Sequence, residues 1–548
     1  MASFVRRWNG WGLAAERFVV PHAAREWLTD RLGPGDPLPA VDESAIVPPA
    51  PRPLPELHAP TRSDAATRLR HACGQSFPDL VALRTGRIAA FPDGVCAPAS
   101  AEAVARVLQV AAAEGVVVIP RGGGTSVVGG VTVRASRRPT LVVSLEALRG
   151  LGSLDVPSLL ATFGAGTLGP EVESALGPHG LRFGHEPQSF EFSTVGGWVA
   201  TRSAGQRSTG VGKIEDLVAG VEVATPRGVW RLPAQPASAA GPELRRLIAG
   251  SEGRLGVITA ATLRVRALPE AEHGQVVLLP SWSAGEDVCR ELLQARIRVE
   301  VLRLSDPLET AFARTLVPLS RLQALGSRAL FALPRFRHGC FLLLGWAGDA
   351  QDVFLARQAA ARAWRERGGV SAGDSGWQRW RKERFRHPYL RDELLALGWG
   401  VDTLETAAPW SRLSELRDAV SAAMHAAAEK VGFSTVVMCH LSHAYPDGAS
   451  LYFTFLWPLQ RGREVAQWSG LKEAATAALI ASGGTISHHH GVGTMHASFL
   501  ESEVGEAGVA ALRAVARALD PHAVLNPGVL LSDEPRPAPD PPGGGKER

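Results

Sequence analysis

Residues 116–126 read VVVIPRGGGTS. Four β-branched residues predict a short buried strand, and three consecutive glycines and two hydroxyls follow it without a spacer. Glycine lets a chain pass through positive φ and come close to a ligand. Successive N–H groups in such a run can converge on one anion. Pro120, Arg121, Gly122, Gly123, Gly124, Thr125 and Ser126 are therefore a candidate cradle for a phosphate or pyrophosphate, with Arg121 adding charge. A plain glycine-rich turn is the alternative. No Gly-Lys-Ser/Thr closes the run and G-x-G-x-x-G spacing is missing, so it is neither a Walker motif nor a Rossmann fingerprint.

A chain of 548 residues is too long for one ordinary core, so two or more domains are expected. A net charge of +4 argues against a nucleic-acid partner, which would demand a concentrated basic face. Five scattered cysteines with no C-x-x-C pair indicate neither a disulfide framework nor a zinc module, and suit a reducing cytoplasm. No stretch approaches the roughly 20 apolar residues of a membrane span. Arg6 and Arg7 are followed by no apolar core of a signal peptide. The Ala-, Arg- and Gly-rich composition suggests a bacterial source.

Alternating strands and helices are expected over 85–270. Ser100 can cap a helix over 101–114, strands follow at 116–120 and 140–145, and 217–232 predicts a hairpin turned at Pro226-Arg227-Gly228. Residues 271–500 have a different texture. Strand-like runs at 341–345 and 451–457 accompany helical patterns at 352–366 and 411–431, which predicts a second, α+β domain. The N-terminal 1–84, proline-rich over 34–60, is expected to pack on the first domain. Residues 501–532 carry a helix over 505–519 and are expected to return to it. The low-complexity 533–548 is expected to be disordered.

Two further segments share the texture of the first loop. Pro187, Gln188, Ser189, Phe190, Glu191, Phe192 and Ser193 lead through Gly196-Gly197 to Thr201, Arg202, Ser203 and Ala204. Glu252, Gly253, Arg254, Leu255, Gly256, Val257 and Ile258 make up the other. Small and hydroxylic residues suit close passage beneath a flat ligand. The order PRGGGTS, EFSTVGGWVATRSAG, IEDLVAGVEVATPRG, EGRLGVIT resembles the flavoproteins of the vanillyl-alcohol-oxidase and p-cresol-methylhydroxylase type, and DPHAVLNPGVL (520–530) resembles their closing segment. The resemblance implies an α+β fold: a two-subdomain FAD-binding domain of the p-cresol-methylhydroxylase type under an α+β cap. Some members link FAD through a histidine of the first loop. Thr125 stands here instead, which implies non-covalent FAD.

Three constellations lie in the second domain. Ser487-His488-His489-His490-Gly491-Val492-Gly493 sets three imidazoles between glycines, where they can hydrogen-bond a phosphate or move a proton near neutral pH. Tyr452 follows the turn Asp447-Gly448-Ala449-Ser450 and shares one side of a strand with Thr454. A phenol there can act as acid or base if its pKa is lowered. The basic run 377–392 contains Arg391, a candidate phosphate fork, and Arg303 lies among apolar neighbours and needs an anionic partner.

With the opening WNGWG, these motifs (HEPQSFEFSTVGGWVATR, YLRD, ETAAPW, DGASLYF and SHHHGVG) resemble the alkyldihydroxyacetone-phosphate synthase family of ether-lipid enzymes. The resemblance implies that Tyr452 is the catalytic acid/base, that His488, His489 and His490 are the required triplet, and that Arg391 and Arg303 serve the substrate phosphate. It implies acyl-dihydroxyacetone phosphate and a fatty alcohol as substrates, exchanged without net electron transfer. Peripheral membrane contact follows from the aliphatic chains, and a homodimer is left open. A basic residue of the family near CHLSH is here His440. The competing reading is an FAD-dependent 2-hydroxy-acid dehydrogenase or oxidase. Its two-histidine metal site could use His440, but Tyr452 occupies the second position, so a catalytic metal is disfavoured and none is assigned, while His440 and His443 leave that alternative open.

Overall fold

The computed structural model describes residues 5–317 and 321–532. The tail expected to be disordered, 533–548, lies outside them.

The flavin-type domain has two sheets. In the first, Gly94–Cys96, Thr140–Ser144 and Val117–Arg121 run parallel, with the short Thr61–Arg62 at the edge. Parallel strands are buried on both faces, and the continuous apolar run before the glycine loop fits that requirement. The helix Ala101–Ala113 lies between this sheet and the second one, its N-terminus closed by Ser100 Oγ accepting from Ala103 N at 3.1 Å. The second sheet is antiparallel in the order Leu151–Asp155, Leu160–Gly164, Val257–Arg264, Val218–Thr225, Gly228–Leu232. Its last two strands are the expected hairpin. One apolar core joins both sheets.

The cap is built on seven antiparallel strands in the order Val370–Ser371, Ala271–Leu279, Cys340–Gly348, Val301–Ser305, Val436–Ala444, Gly448–Pro458, Trp399–Pro409. One face packs on the helices Trp282–Gln294, Ala350–Glu366 and Leu413–Lys430, with Leu302, Leu304, Leu404, Cys439, Leu441, Leu451 and Phe453 in the core between. Side chains alternate along a strand, so the other face receives Arg303, Ser305, His440, Tyr452 and Glu405. Ser305 pairs with His440, His440 with Tyr452, and Tyr452 with Glu405, which lines these residues up across four strands.

The N-terminal stretch belongs to both domains, not to the flavin-type domain alone. Its helix His22–Leu32 buries Ala24, Leu28 and Leu32 against Phe312, Trp399 and Met438 of the cap, and Phe77 enters the cap core. The opening WNGWG is clamped on the YLRD helix: Asp392 accepts from Trp11 N at 2.7 Å and pairs with Arg7 at 3.2 Å. The C-terminal segment returns to the glycine-loop strand, where Asn526 N donates to Val118 O and Val118 N to Val524 O, both at 2.8 Å.

Candidate functional site

A cavity of about 610 Å³ runs from the glycine loop, between the two domains, to the site face of the cap sheet. Its flavin-side wall contains Pro120, Gly122, Gly123, Gly124, Thr125 and Ser126, then Pro187, Gln188, Ser189 and Ser193, then Thr201, Ser203 and Ala204, and finally Glu252, Gly253, Gly256, Val257 and Ile258. All three glycine-bearing segments thus meet in one place. A Cβ on Gly123 would fall 1.8 Å from Phe192 O, so only glycine brings the first segment against the second. Gly124 turns at φ +69°, where a side chain is strained.

Several residues of those segments face elsewhere. Pro120 faces the cavity, so Arg121, next on the strand, points away and donates to Cys73 O at 2.9 Å and Arg70 O at 3.2 Å. Phe190 stacks on Phe385 and Phe192 meets Trp11 edge-on, while Glu191 is exposed. Arg202 pairs with Glu215 at 3.0 Å, Arg254 donates to Leu525 O at 2.6 Å, and Leu255 is core. None of these lines the cavity. Thr194, Gly196 and Gly197, small or hydroxylic residues of the same segment, do line it.

The donor set fits a dinucleotide's phosphates. Among the described residues, the backbone N–H groups of Gly122, Gly123, Gly124, Thr125 and Ser126 donate to no protein acceptor. An N–H cluster of that kind needs an anion or water. Glu252 ties this wall to the histidine tract, accepting from Val492 N at 2.7 Å and Gly493 N at 2.8 Å. Burial pushes its carboxyl up to about 7.

On the cap side the cavity is lined by Arg303, Glu309, His387, Arg391, Asp402, Thr403, His440, His443, Tyr452, His489 and His490. His488 is not among them: its Nε2 meets Tyr445 OH at 2.7 Å and its Nδ1 meets His489 Nδ1 at 3.0 Å. The triplet is shaped by Glu405, whose carboxylate is 2 % exposed. It accepts from Ser487 Oγ at 2.8 Å, from His490 N at 2.9 Å, from His489 N at 3.2 Å and from His488 N. Burial alone would raise this carboxyl. The flanking imidazoles of His490 and His488 and their N–H donors outweigh that and bring it down to about 2. Burial lowers all three imidazoles below their ordinary range, so the triplet is neutral at pH 7.

Among the described residues, Glu405, His488 and His489 form the one group of three metal-ligand side chains, with ligand atoms within 4.8 Å of one another. The Glu405 oxygens in it are already taken by N–H and O–H donors.

Tyr452 stacks on His440 with centroids 4.8 Å apart and meets His490 edge-on at 5.7 Å. The lowered phenol pKa considered from sequence is not found. Burial, partly offset by a hydrogen bond with Thr403, pushes it up to about 12, so the phenol keeps its proton at neutral pH. The anionic partner expected for Arg303 is a protein group: Glu309 Oε1 accepts from its Nη2 at 2.8 Å. Arg391 is different. It donates to Gln75 O at 2.8 Å and Gln75 Oε1 at 2.9 Å, its Nε is buried without a partner, and no carboxylate pairs with it among the described residues.

The family model "FAD binding domain" matches residues 92–232, and "FAD linked oxidases, C-terminal domain" matches 268–530. An alkyldihydroxyacetonephosphate synthase of Dictyostelium discoideum is 30% identical over 86% of this chain and 78% of its own length. The chain belongs to the alkyldihydroxyacetonephosphate synthase family. A solved structure of such a synthase superposes with a TM-score of 0.83 at 26% identity, covering 95% of this chain and 98% of that one. p-Cresol methylhydroxylase shares the fold, with a TM-score of 0.65 at 13% identity over 86% of this chain and 94% of that chain. The expected α+β flavoprotein fold and the FAD cofactor are therefore both found. The bacterial source read from composition gains no support, because the Dictyostelium relative is eukaryotic.

Proposed function

We propose that this protein exchanges the acyl chain of an acyl-dihydroxyacetone phosphate for a long-chain alcohol, forming the ether bond of alkyl-dihydroxyacetone phosphate. The observation that carries the reading is one cavity with two opposite linings. Beside Tyr452 lies the buried Arg391 guanidinium with no carboxylate partner, a planar fork suited to phosphate. Beyond it, Phe312, Leu316, Leu343, Leu390, Val401 and Met438 make an apolar wall, which suits an aliphatic chain. A phosphorylated amphiphile satisfies both.

In this reading Arg391 anchors the phosphate. Arg303, already paired with the Glu309 carboxylate, orients that group. Tyr452 delivers a proton at C1 from its neutral phenol, and the neutral His489 and His490 are within reach to exchange it. His488 acts through them, as a positioning group. When bound, FAD supplies a ring that can lend and recover an electron pair, which an exchange without net oxidation needs. The N–H groups of residues 122–126 would hold its phosphates, and Thr125 leaves the attachment non-covalent.

No helix among the described residues is long and apolar enough to cross a membrane. The reading places the protein in the cytoplasm, touching a membrane surface from which its lipid substrates enter. Oxidation of a 2-hydroxy acid is less favoured, because Glu309 and Tyr452, not a second imidazole ligand, hold His440. Incubation of purified holoprotein with palmitoyl-dihydroxyacetone phosphate and labelled hexadecanol tests the proposal. Labelled ether product supports it, and its absence with flavin bound refutes it.

A further inference from the structure

The two nucleophiles of this proposed exchange differ by one proton. A fatty acid arrives as a carboxylate with its oxygen already bare, whereas an alcohol arrives with its O–H intact. A base is therefore needed in one direction only. Tyr452 holds its own proton and does not meet that need.

Glu309 and His440 do. Asp306 caps the helix Pro307–Leu316 by accepting from Glu309 N at 2.6 Å, and its second oxygen accepts from Cys439 N at 2.8 Å. One carboxylate thus fixes the helix start to the strand that carries His440. Glu309, in the first turn of the helix, is thereby brought to the imidazole, with Oε1 2.9 Å from His440 Nδ1. Arg303 Nη2 binds the same oxygen at 2.8 Å and lies 3.2 Å from Nδ1. An oxygen that accepts from a guanidinium is ionised, so Nδ1 carries the hydrogen and donates to it. Nε2 is then the bare nitrogen. It has no partner among the described residues, and the ring lines the cavity against the face of Tyr452. The charged and titratable groups around it are Arg303, Glu309, His387, His443, Tyr452 and His489.

We propose that His440, oriented by Glu309, is the base that takes the proton of the incoming alcohol. This rests on the synthase reading above. As the alcohol oxygen bonds to C1 of the substrate, its O–H proton passes to His440 Nε2. The fatty acid leaves as a carboxylate with both oxygens, and the imidazolium returns its proton to solvent. Nothing is oxidised or reduced overall. Glu309 touches no reactant in this scheme. It is a positioning residue that selects the tautomer and stabilises the imidazolium.

The test compares two reactions of the same holoenzyme: transfer of labelled hexadecanol, and exchange of labelled palmitate into palmitoyl-dihydroxyacetone phosphate. Only the first needs the base. His440→Ala is expected to keep its flavin absorbance and palmitate exchange while losing hexadecanol transfer by about 10²–10⁴-fold, the usual range for a general base. Added imidazole should restore part of that transfer. Glu309→Gln, a milder change, should lower transfer about tenfold with exchange intact. Equal loss of both reactions in both variants, undiminished transfer in either, or no rescue by imidazole overturns the proposal. If the wild type performs neither reaction, the synthase reading fails first, and that outcome is read from the wild type alone.

Discussion

Glu405→Gln tests whether the histidine tract is held by a buried carboxylate. The substitution preserves shape and removes one charge. In the native site four donors converge on the two oxygens, with Ser487 Oγ, His489 N and His490 N on Oε1 and His488 N on Oε2. A glutamine can place its carbonyl at the first position, but its NH2 then faces His488 N–H. One buried donor loses its acceptor and the remaining bonds lose their charge assistance, a cost of about 2–3 kcal/mol. For a domain of the cap's size that is roughly 4–12 °C in melting temperature. Because the folded-state pKa is depressed, this stabilisation is fully present above about pH 4.5 and is lost as pH falls through about 2. Thermal melts of holoprotein across that range are the assay. The variant should melt well below wild type at pH 7.5, and the gap should narrow steadily on acidification. An unchanged melting temperature at pH 7.5, or a gap that ignores pH, would show that the Glu405 charge does not hold the histidine tract.

Arg391→Ala should raise the apparent KM for the phosphorylated substrate roughly ten- to a hundredfold with FAD content unchanged, since charge-assisted bonds contribute about 1.5–3 kcal/mol; wild-type KM would remove Arg391 from phosphate binding. Tyr452→Phe deletes one oxygen from a stacked ring and should lower both turnover and solvent exchange of the C1 hydrogen by about 10²–10⁴-fold; near-normal rates would reduce Tyr452 to packing. Acid precipitation should release yellow flavin into the supernatant, and flavin retained on the denatured chain would contradict non-covalent attachment. Gly123→Ala places a methyl group 1.8 Å from Phe192 O and should yield protein depleted of flavin; full FAD content would show that this loop has slack.

The flavin half was largely legible because glycine carries its own structural reason. The first loop, the hairpin and the Ser100-capped helix lie where pattern and turn chemistry place them. What sequence could not settle was which side of each segment faces the ligand. Arg121 sits beside cavity residues yet points the other way, because strand alternation acts residue by residue, and Phe192, in the turn before the helix Val195–Thr201, is turned onto Trp11 instead. The cap site was legible in Tyr452, one of three tyrosines, and in the glycine-flanked histidine tract, of which His489 and His490 line the cavity and His488 does not. Glu405 and Glu309 were not legible. Each is an ordinary glutamate whose importance comes from strand register or from the Asp306 cap bringing it to partners far along the chain. The D-x-x-E spacing of Asp306 and Glu309 marks a helix start, but nothing local indicates His440 at its side.

The most direct test of the central reading is a balance of products from palmitoyl-dihydroxyacetone phosphate and labelled hexadecanol under wild-type holoenzyme. One palmitate is expected for each labelled ether formed, with no dioxygen consumed and no electron acceptor reduced. Reduction of an acceptor by a 2-hydroxy acid, with no ether product, would contradict that reading.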